Sequence, residues 1–228
     1  MEGLSRLAVI TAHPDDETFG PGGTLAYLSD GGTEILLLVA SRGERGRFGE
    51  LSLSSAEELG RVREEELKSA ARVLGIRQVV ILGWPDRGVA ALPRNEALKT
   101  LLGRLEEFSP QAVLTFPPGG ISGHPDHQAV SLLGSLAARR LGIGLYYFTL
   151  SLEVLERVFG KPFHPLDARV SLRMDVSSFL DRKAQAINFY RTQSFSVRRV
   201  FGSFPVREED LPREEGFLEL LPIPLSTG

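Results

Sequence analysis

The sequence predicts an α/β protein: a mostly parallel sheet with helices on both faces, in a single domain. Three observations predict it. Short apolar runs alternate with longer amphipathic stretches from the N-terminus onward. Runs such as Leu7-Ala8-Val9-Ile10 and Ala112-Val113-Leu114 are apolar throughout, as strands buried on both faces are. The 228 residues contain no internal repeat, low-complexity tract or linker that would divide them.

Leu7 to Thr11 reads as the first buried strand. A helix opens at Gly22-Gly23-Thr24 and ends at Gly31-Gly32, and Ile35 to Ala40 is the second strand. Ser41 to Ser55 is a polar loop rich in Gly and Arg. Ala56 to Leu74 is a long helix whose apolar face carries Leu59, Val62, Leu67, Ala70, Ala71 and Leu74, stopped by Gly75. Val79 to Leu82 is the third strand, followed by the turn Gly83 to Gly88. Asn95 to Phe108 is a helix ended by Ser109-Pro110. Ala112 to Phe116 is the fourth strand, Pro117 to Gly123 a loop, and Gln128 to Leu141 a helix. Beyond Gly142, Leu145 to Leu150 is read as a strand and Ser178 to Gln193 as a helix. The part from about 195 to 228 carries Pro205, Pro212, Pro222 and Pro224, so irregular chain or an edge strand is expected there.

Strands separated by helices imply right-handed crossovers, and such sheets bind ligands beyond the carboxyl ends of their strands. Two acidic segments lie there. Ala12-His13-Pro14-Asp15-Asp16-Glu17 follows the first strand, and His124-Pro125-Asp126-His127 follows the fourth. Together they use three of the four histidines. Alone, either segment would serve as a helix cap or a polar turn. Placed at equivalent strand ends, the two read as one metal site.

Composition narrows the chemistry. With no cysteine, ligands must be His, Asp or Glu, and disulfides are excluded. A net charge of −3 argues against nucleic acid. No apolar run approaches the ~20 residues that span a bilayer. Met1 to Arg6 lacks the basic and apolar regions of a secretory signal, so a cytoplasmic location is expected.

His13, Asp16 and one histidine of the second segment would supply two imidazoles and a carboxylate, a set that suits catalytic Zn2+ and also Fe2+. Spacing does not choose between His124 and His127. Asp15, beside a ligand but pointing elsewhere, has the position of a general base toward a metal-activated water. The remaining imidazole is placed to stabilise an oxyanion or protonate a leaving amine, with Asp126 orienting it. His164 has no acidic pattern around it and reads as structural. Gly20 to Thr24 lacks the spacing and lysine of a phosphate loop.

These residues resemble the LmbE-like (PIG-L) family of N-acetylglucosamine de-N-acetylases, whose signature is an (A/P)HPDDE segment and a later HPDH. Lesser features are also similar: the Gly-Gly-Thr helix start, Ser41-Arg42-Gly43-Glu44, Arg63 with Glu66, and Pro85-Asp86. The resemblance covers residues 7 to 140 well and the C-terminal third only through Lys183 and Gln193. It implies a Rossmann-like fold and zinc-dependent removal of an acetyl group from an N-acetylglucosamine conjugate. By the same resemblance His13, Asp16 and His127 are the metal ligands and Asp15 is the base. His124 stabilises the oxyanion, and Asp126 tunes it. Arg63, Asp86 and the loop near Arg47 contact substrate. The family also implies a small-molecule amino-sugar substrate and a homo-oligomer. Arg42, Arg45 and Arg47 would favour a carboxylate or phosphate on the substrate, against a reading as a solvated basic loop. Two other functions stand beside this one: a metal-dependent amidase on a non-sugar substrate, and a non-catalytic metal-binding module.

Overall fold

The computed structural model describes residues 1, 3–150 and 152–221. In chain order the elements are β1 (Arg6–Thr11), α1 (Asp16–Phe19), α2 (Gly22–Asp30), β2 (Glu34–Val39), α3 (Ala56–Leu74), β3 (Gln78–Ile81), α4 (Arg94–Phe108), β4 (Ala112–Thr115), α5 (Pro125–Leu141), β5 (Gly144–Thr149), α6 (Leu152–Phe159), β6 (Leu172–Asp175), α7 (Leu180–Phe189), α8 (Ser194–Phe201) and β7 (Glu214–Leu221).

One sheet runs in the order β3-β2-β1-β4-β5-β7-β6. The first five strands pair in parallel, and β7 pairs antiparallel with both β5 and β6. From β1 the chain steps outward to β3, then returns to lay β4 on the other side of β1. With right-handed crossovers, that reversal puts the helices of the two halves on opposite faces. Accordingly α2, α3 and α7 pack together, and α4 packs with α5. β1 and β4 are the central neighbours, paired Val9 with Leu114. All four residues of β4 are buried, and so are five of the six in β1, β2 and the six of β5. This burial on both faces is why their sequences do not alternate.

Local chemistry sets the helix ends. Ser55 caps α3 by accepting the Glu58 N–H at 3.1 Å, and Gly75 ends that helix in the left-handed region. α5 starts at Pro125, earlier than its apolar periodicity suggests, because the His124 side chain caps it and proline is favoured in a first turn. His164 likewise caps a short 3-10 turn at Pro165–Ala168.

The C-terminal third departs from expectation. The tail supplies β7, which lies inside the sheet, between β5 and β6, and not at its edge. Pro205 and Pro212 precede this strand and leave its hydrogen-bond ladder intact, while Pro222 and Pro224 lie outside the described residues. The helix expected over 178–193 divides into the end of a 3-10 turn at Ser177–Phe179, α7 and a 3-10 turn at Arg191–Gln193, with α8 following directly. A buried ion pair locks this part to the first half: Lys183 Nζ lies 2.5 Å from Glu215 Oε1 and donates to the Gly20 carbonyl at 2.9 Å. Glu215 also accepts the N–H groups of Gly23 and Thr24 at the start of α2. Lys183 is therefore a tie between β7 and α2.

Candidate active site

The loops after β1 and β4 meet where the strand order reverses, the usual binding point of such sheets. The His13-Pro14-Asp15-Asp16 turn folds on itself. Asp16 Oδ2 accepts the backbone N–H of His13 at 2.8 Å and of Ala12 at 3.2 Å. His127 reaches in from the first helical turn of α5, its ring stacked on Phe116.

His13 Nδ1 and His127 Nε2 face each other at 3.1 Å. Their other nitrogens are committed outward. His13 Nε2 lies 3.3 Å from Asp86 Oδ1 and 3.5 Å from Asp126 Oδ2. His127 Nδ1 lies 3.0 Å from the Gly120 carbonyl. When both rings are neutral with their outer nitrogens protonated, the two inner nitrogens turn lone pairs into the site. Asp16 Oδ1 completes the set, 3.5 Å from His127 Nε2. Tetrahedral zinc with Zn–N bonds of 2.0–2.1 Å separates its nitrogens by about 3.3 Å. The donor set and its spacing fit a divalent metal held by His13, Asp16 and His127. A second grouping of His13, His124 and Asp126 fits less well. Asp126 is spent on the N–H groups of Arg87 and Val89, and His124 Nδ1 on the N–H of Asp126.

The electrostatics of the metal-free site follow from burial and these carboxylates. Burial opposes a charge on His13, yet Asp126, Asp86 and Asp16 outweigh it and lift the imidazole to about 9. Burial depresses His127 to about 4. Asp86 is held down at about 2, its burial outweighed by His13. Burial also raises Asp15 well above the usual carboxylate range, against the opposing pull of Arg63.

Arg63 is buried on α3 beneath the turn. Its guanidinium donates to the carbonyls of Pro14 at 2.5 Å and Gly43 at 3.1 Å, and lies 3.4 Å from Asp15 Oδ2. A Cβ at Gly43 would sit 2.5 Å from the guanidinium carbon, which explains the glycine in Ser41-Arg42-Gly43-Glu44. Glu44 in turn accepts the Asp86 N–H at 3.0 Å.

These groups line one side of a cavity of about 290 Å³. The rest of the lining is largely an apolar wall of Phe19, Phe148, Leu150, Val158, Phe159 and Val200, joined by the polar Gln193, Ser196 and Arg199. Of the residues expected from sequence, His13, Asp15, Asp16, Arg63, Asp86, His124 and His127 line the cavity. Asp126 lies behind His13, fully buried, its carboxylate 3.5 Å from His13 Nε2 and within 4.8 Å of a His124 ring nitrogen. Asp86 is turned to His13 and the loop backbone. Arg47 is exposed on its loop and outside the lining, and Arg42 is paired with Glu57 at 2.9 Å. The apolar lining from α1, β5, α6 and α8 carried no legible signal, since those residues share only ordinary apolar character. Glu17 and Tyr190, joined beneath the turn, were equally hidden.

The fold and site define a Rossmann-like α/β protein with a candidate metal centre at its topological switch point. The chain belongs to the PIG-L family, described as GlcNAc-PI de-N-acetylase, which matches residues 8–138. It is 30% identical over 226 residues to the 1D-myo-inositol 2-acetamido-2-deoxy-alpha-D-glucopyranoside deacetylase of Mycobacteroides abscessus, covering 82% of this chain and 81% of that one. In fold it is similar to the N,N'-diacetylchitobiose deacetylase of Pyrococcus horikoshii, with a TM-score of 0.69 at 23% identity over 96% of this chain and 85% of the other. It is also similar in fold to GalB, the 4-carboxy-2-hydroxymuconate hydratase of Pseudomonas putida, with a TM-score of 0.69 at 20% identity over 96% and 97%. The scaffold therefore carries more than one chemistry, and the site must decide.

Proposed function

We propose that the protein hydrolyses the acetamide of an N-acetylglucosamine conjugate, releasing acetate and a free amine, with zinc as the native metal. The observation that carries this reading is the facing pair of imidazole nitrogens at 3.1 Å with Asp16 beside them and the Asp15 carboxylate lining the same cavity. A bound metal supplies Lewis-acid activation and brings the pKa of its water toward ~7.

The chain's own groups perform the rest. Asp15 takes the water proton as the oxygen attacks the acetyl carbonyl carbon. His124 is fixed as the Nε2–H tautomer, because its Nδ1 accepts the Asp126 N–H at 3.1 Å, so Nε2–H is the donor for the developing oxyanion. As the C–N bond breaks, Asp15 returns the proton to the departing nitrogen. Arg63, fastened to Pro14 and Gly43, holds the floor of the turn and balances the charge on Asp15. The apolar wall receives the C–H face of the sugar and its aglycone, and excludes water from the reacting atoms.

In this reading Asp86 supports His13 and reaches substrate only through its cavity edge, while Arg47 meets a long aglycone beyond the cavity mouth. The enzyme works in the cytoplasm as a homo-oligomer; no helix among the described residues is long and apolar enough to cross a membrane. The test is acetate release from N-acetylglucosaminyl-inositol and diacetylchitobiose by protein stripped of metal and reloaded with Zn2+ or Fe2+. Acetate from the reloaded protein alone is expected. Acetate from non-sugar acetamides but from neither sugar would overturn the reading in favour of a general amidase.

A further inference from the structure

Glu17 takes no part in the hydrolysis described above, yet it is fully buried at the end of the acidic segment. Both of its oxygens are engaged. Oε2 accepts the backbone N–H of Asp15 at 3.1 Å, and Oε1 accepts the hydroxyl of Tyr190 at 2.5 Å. Tyr190 is also fully buried, at the end of α7, and arrives from the C-terminal third of the chain.

Asp15 has reason to need such a clamp. Its φ is 117°, a strained conformation that a non-glycine residue keeps only where its surroundings impose it. The surroundings grip the peptide on both sides. The Asp15 carbonyl accepts from Thr18 N–H at 2.9 Å, Thr18 Oγ1 at 2.7 Å and Phe19 N–H at 3.0 Å. The Pro14 carbonyl is held by Arg63. The Asp15 N–H is held by Glu17. Two residues beyond Tyr190, Thr192 is fastened to Glu66 through its N–H at 3.0 Å and its hydroxyl at 2.5 Å, and Glu66 lies one helical turn from Arg63. The segment bearing Tyr190 and the helix bearing Arg63 thus form one block around Asp15.

We propose that Glu17 and Tyr190 are positioning residues for Asp15: the Tyr190 hydroxyl orients the Glu17 carboxylate, which fixes the strained Asp15 backbone so that its side chain faces the cavity. This rests on the reading of Asp15 as the base. It gives the C-terminal third a task in the reaction and gives the last residue of the first motif a role distinct from metal binding.

Tyr190→Phe removes one hydroxyl and leaves the ring in place. Measured on the metal-loaded full chain, it is expected to lower kcat about tenfold, with KM and bound metal unchanged, as a small displacement of a reacting group does. Glu17→Gln keeps an acceptor for the Asp15 N–H and an amide for the Tyr190 oxygen, so its kcat is expected to stay within about threefold of wild type. The deciding comparison introduces Tyr190→Phe into Asp15→Asn. Residues acting through one group are non-additive, so no further loss of the residual rate is expected. A further tenfold loss in that background, or wild-type kcat for Tyr190→Phe alone, would overturn the proposal. A collapse of Glu17→Gln to the Tyr190→Phe level would overturn it too, since geometry would then not be what matters. Near-normal turnover by Asp15→Asn would instead remove the underlying base assignment, and this proposal with it.

Discussion

His13 and His127 meet nitrogen to nitrogen at 3.1 Å, with Asp86 and Asp126 beside the outer nitrogen of one ring and the Gly120 carbonyl beside that of the other. This arrangement calls for a cation. In the metal-free protein the cation is a proton: His13 sits at about 9 and stays protonated through neutral pH, while His127, at about 4, is neutral. A metal must displace that proton. Binding at pH 6 is expected to release at least about one proton per site, and affinity should rise with pH until His13 deprotonates near 9. Calorimetry in two buffers of different ionisation heat measures the release; none would contradict the ligand set.

The carboxylates behind His13 make a separable prediction. Asp86→Ala should weaken metal binding by 10- to 100-fold, roughly the usual effect of losing a carboxylate behind a ligating histidine. A rise in KM with metal affinity untouched would place Asp86 on the substrate instead. Asp126→Ala should weaken binding similarly and also lower stability by ~1–3 kcal/mol, because the N–H groups of Arg87 and Val89 lose their acceptor. Competition with a chromogenic chelator and thermal melts separate the two effects.

Gly120 supports the second histidine. Its φ is +66°, and an added Cβ would lie 2.6 Å from the His127 Cβ. Gly120→Ala should destabilise the protein by about 1–3 kcal/mol and displace His127 from the metal. Unchanged metal affinity in this variant would mean that the loop does not set the His127 position.

The tie between β7 and α2 is a stability element. Lys183→Met should cost ~3–5 kcal/mol, since it leaves Glu215 buried without its cation. Chemical denaturation gives the figure. A near-neutral result would show that the N–H groups of Gly23 and Thr24 suffice to hold that carboxylate.

How far the sequence carried depended on the kind of signal. The parallel half was legible because burial on both faces writes unbroken apolar runs, and both motifs sat at the ends of such runs. His13 and Asp16 were legible as candidate ligands from residue types that few other tasks require, whereas the choice of His127 over His124 rested on the family resemblance alone. The C-terminal strands were not legible: β7 reads Glu-Glu-Gly-Phe-Leu-Glu-Leu-Leu, and its second acid, Glu215, is engaged by Lys183 and by the start of α2, partners that local pattern cannot reveal. Asp86 and Asp126 were legible as site residues but not in their direction, because which neighbour a carboxylate faces is set by tertiary packing. Tyr190 carries no local mark at all, and its meaning lies in Glu17, far away in the chain.

The most direct test of the account is Asp15→Asn in the metal-loaded protein, assayed for acetate release from an N-acetylglucosamine conjugate with bound metal measured in the same sample. The account predicts metal retained and kcat reduced by at least ~10²-fold, the size of effect expected for removing a general base. Near-wild-type turnover with metal bound would contradict it.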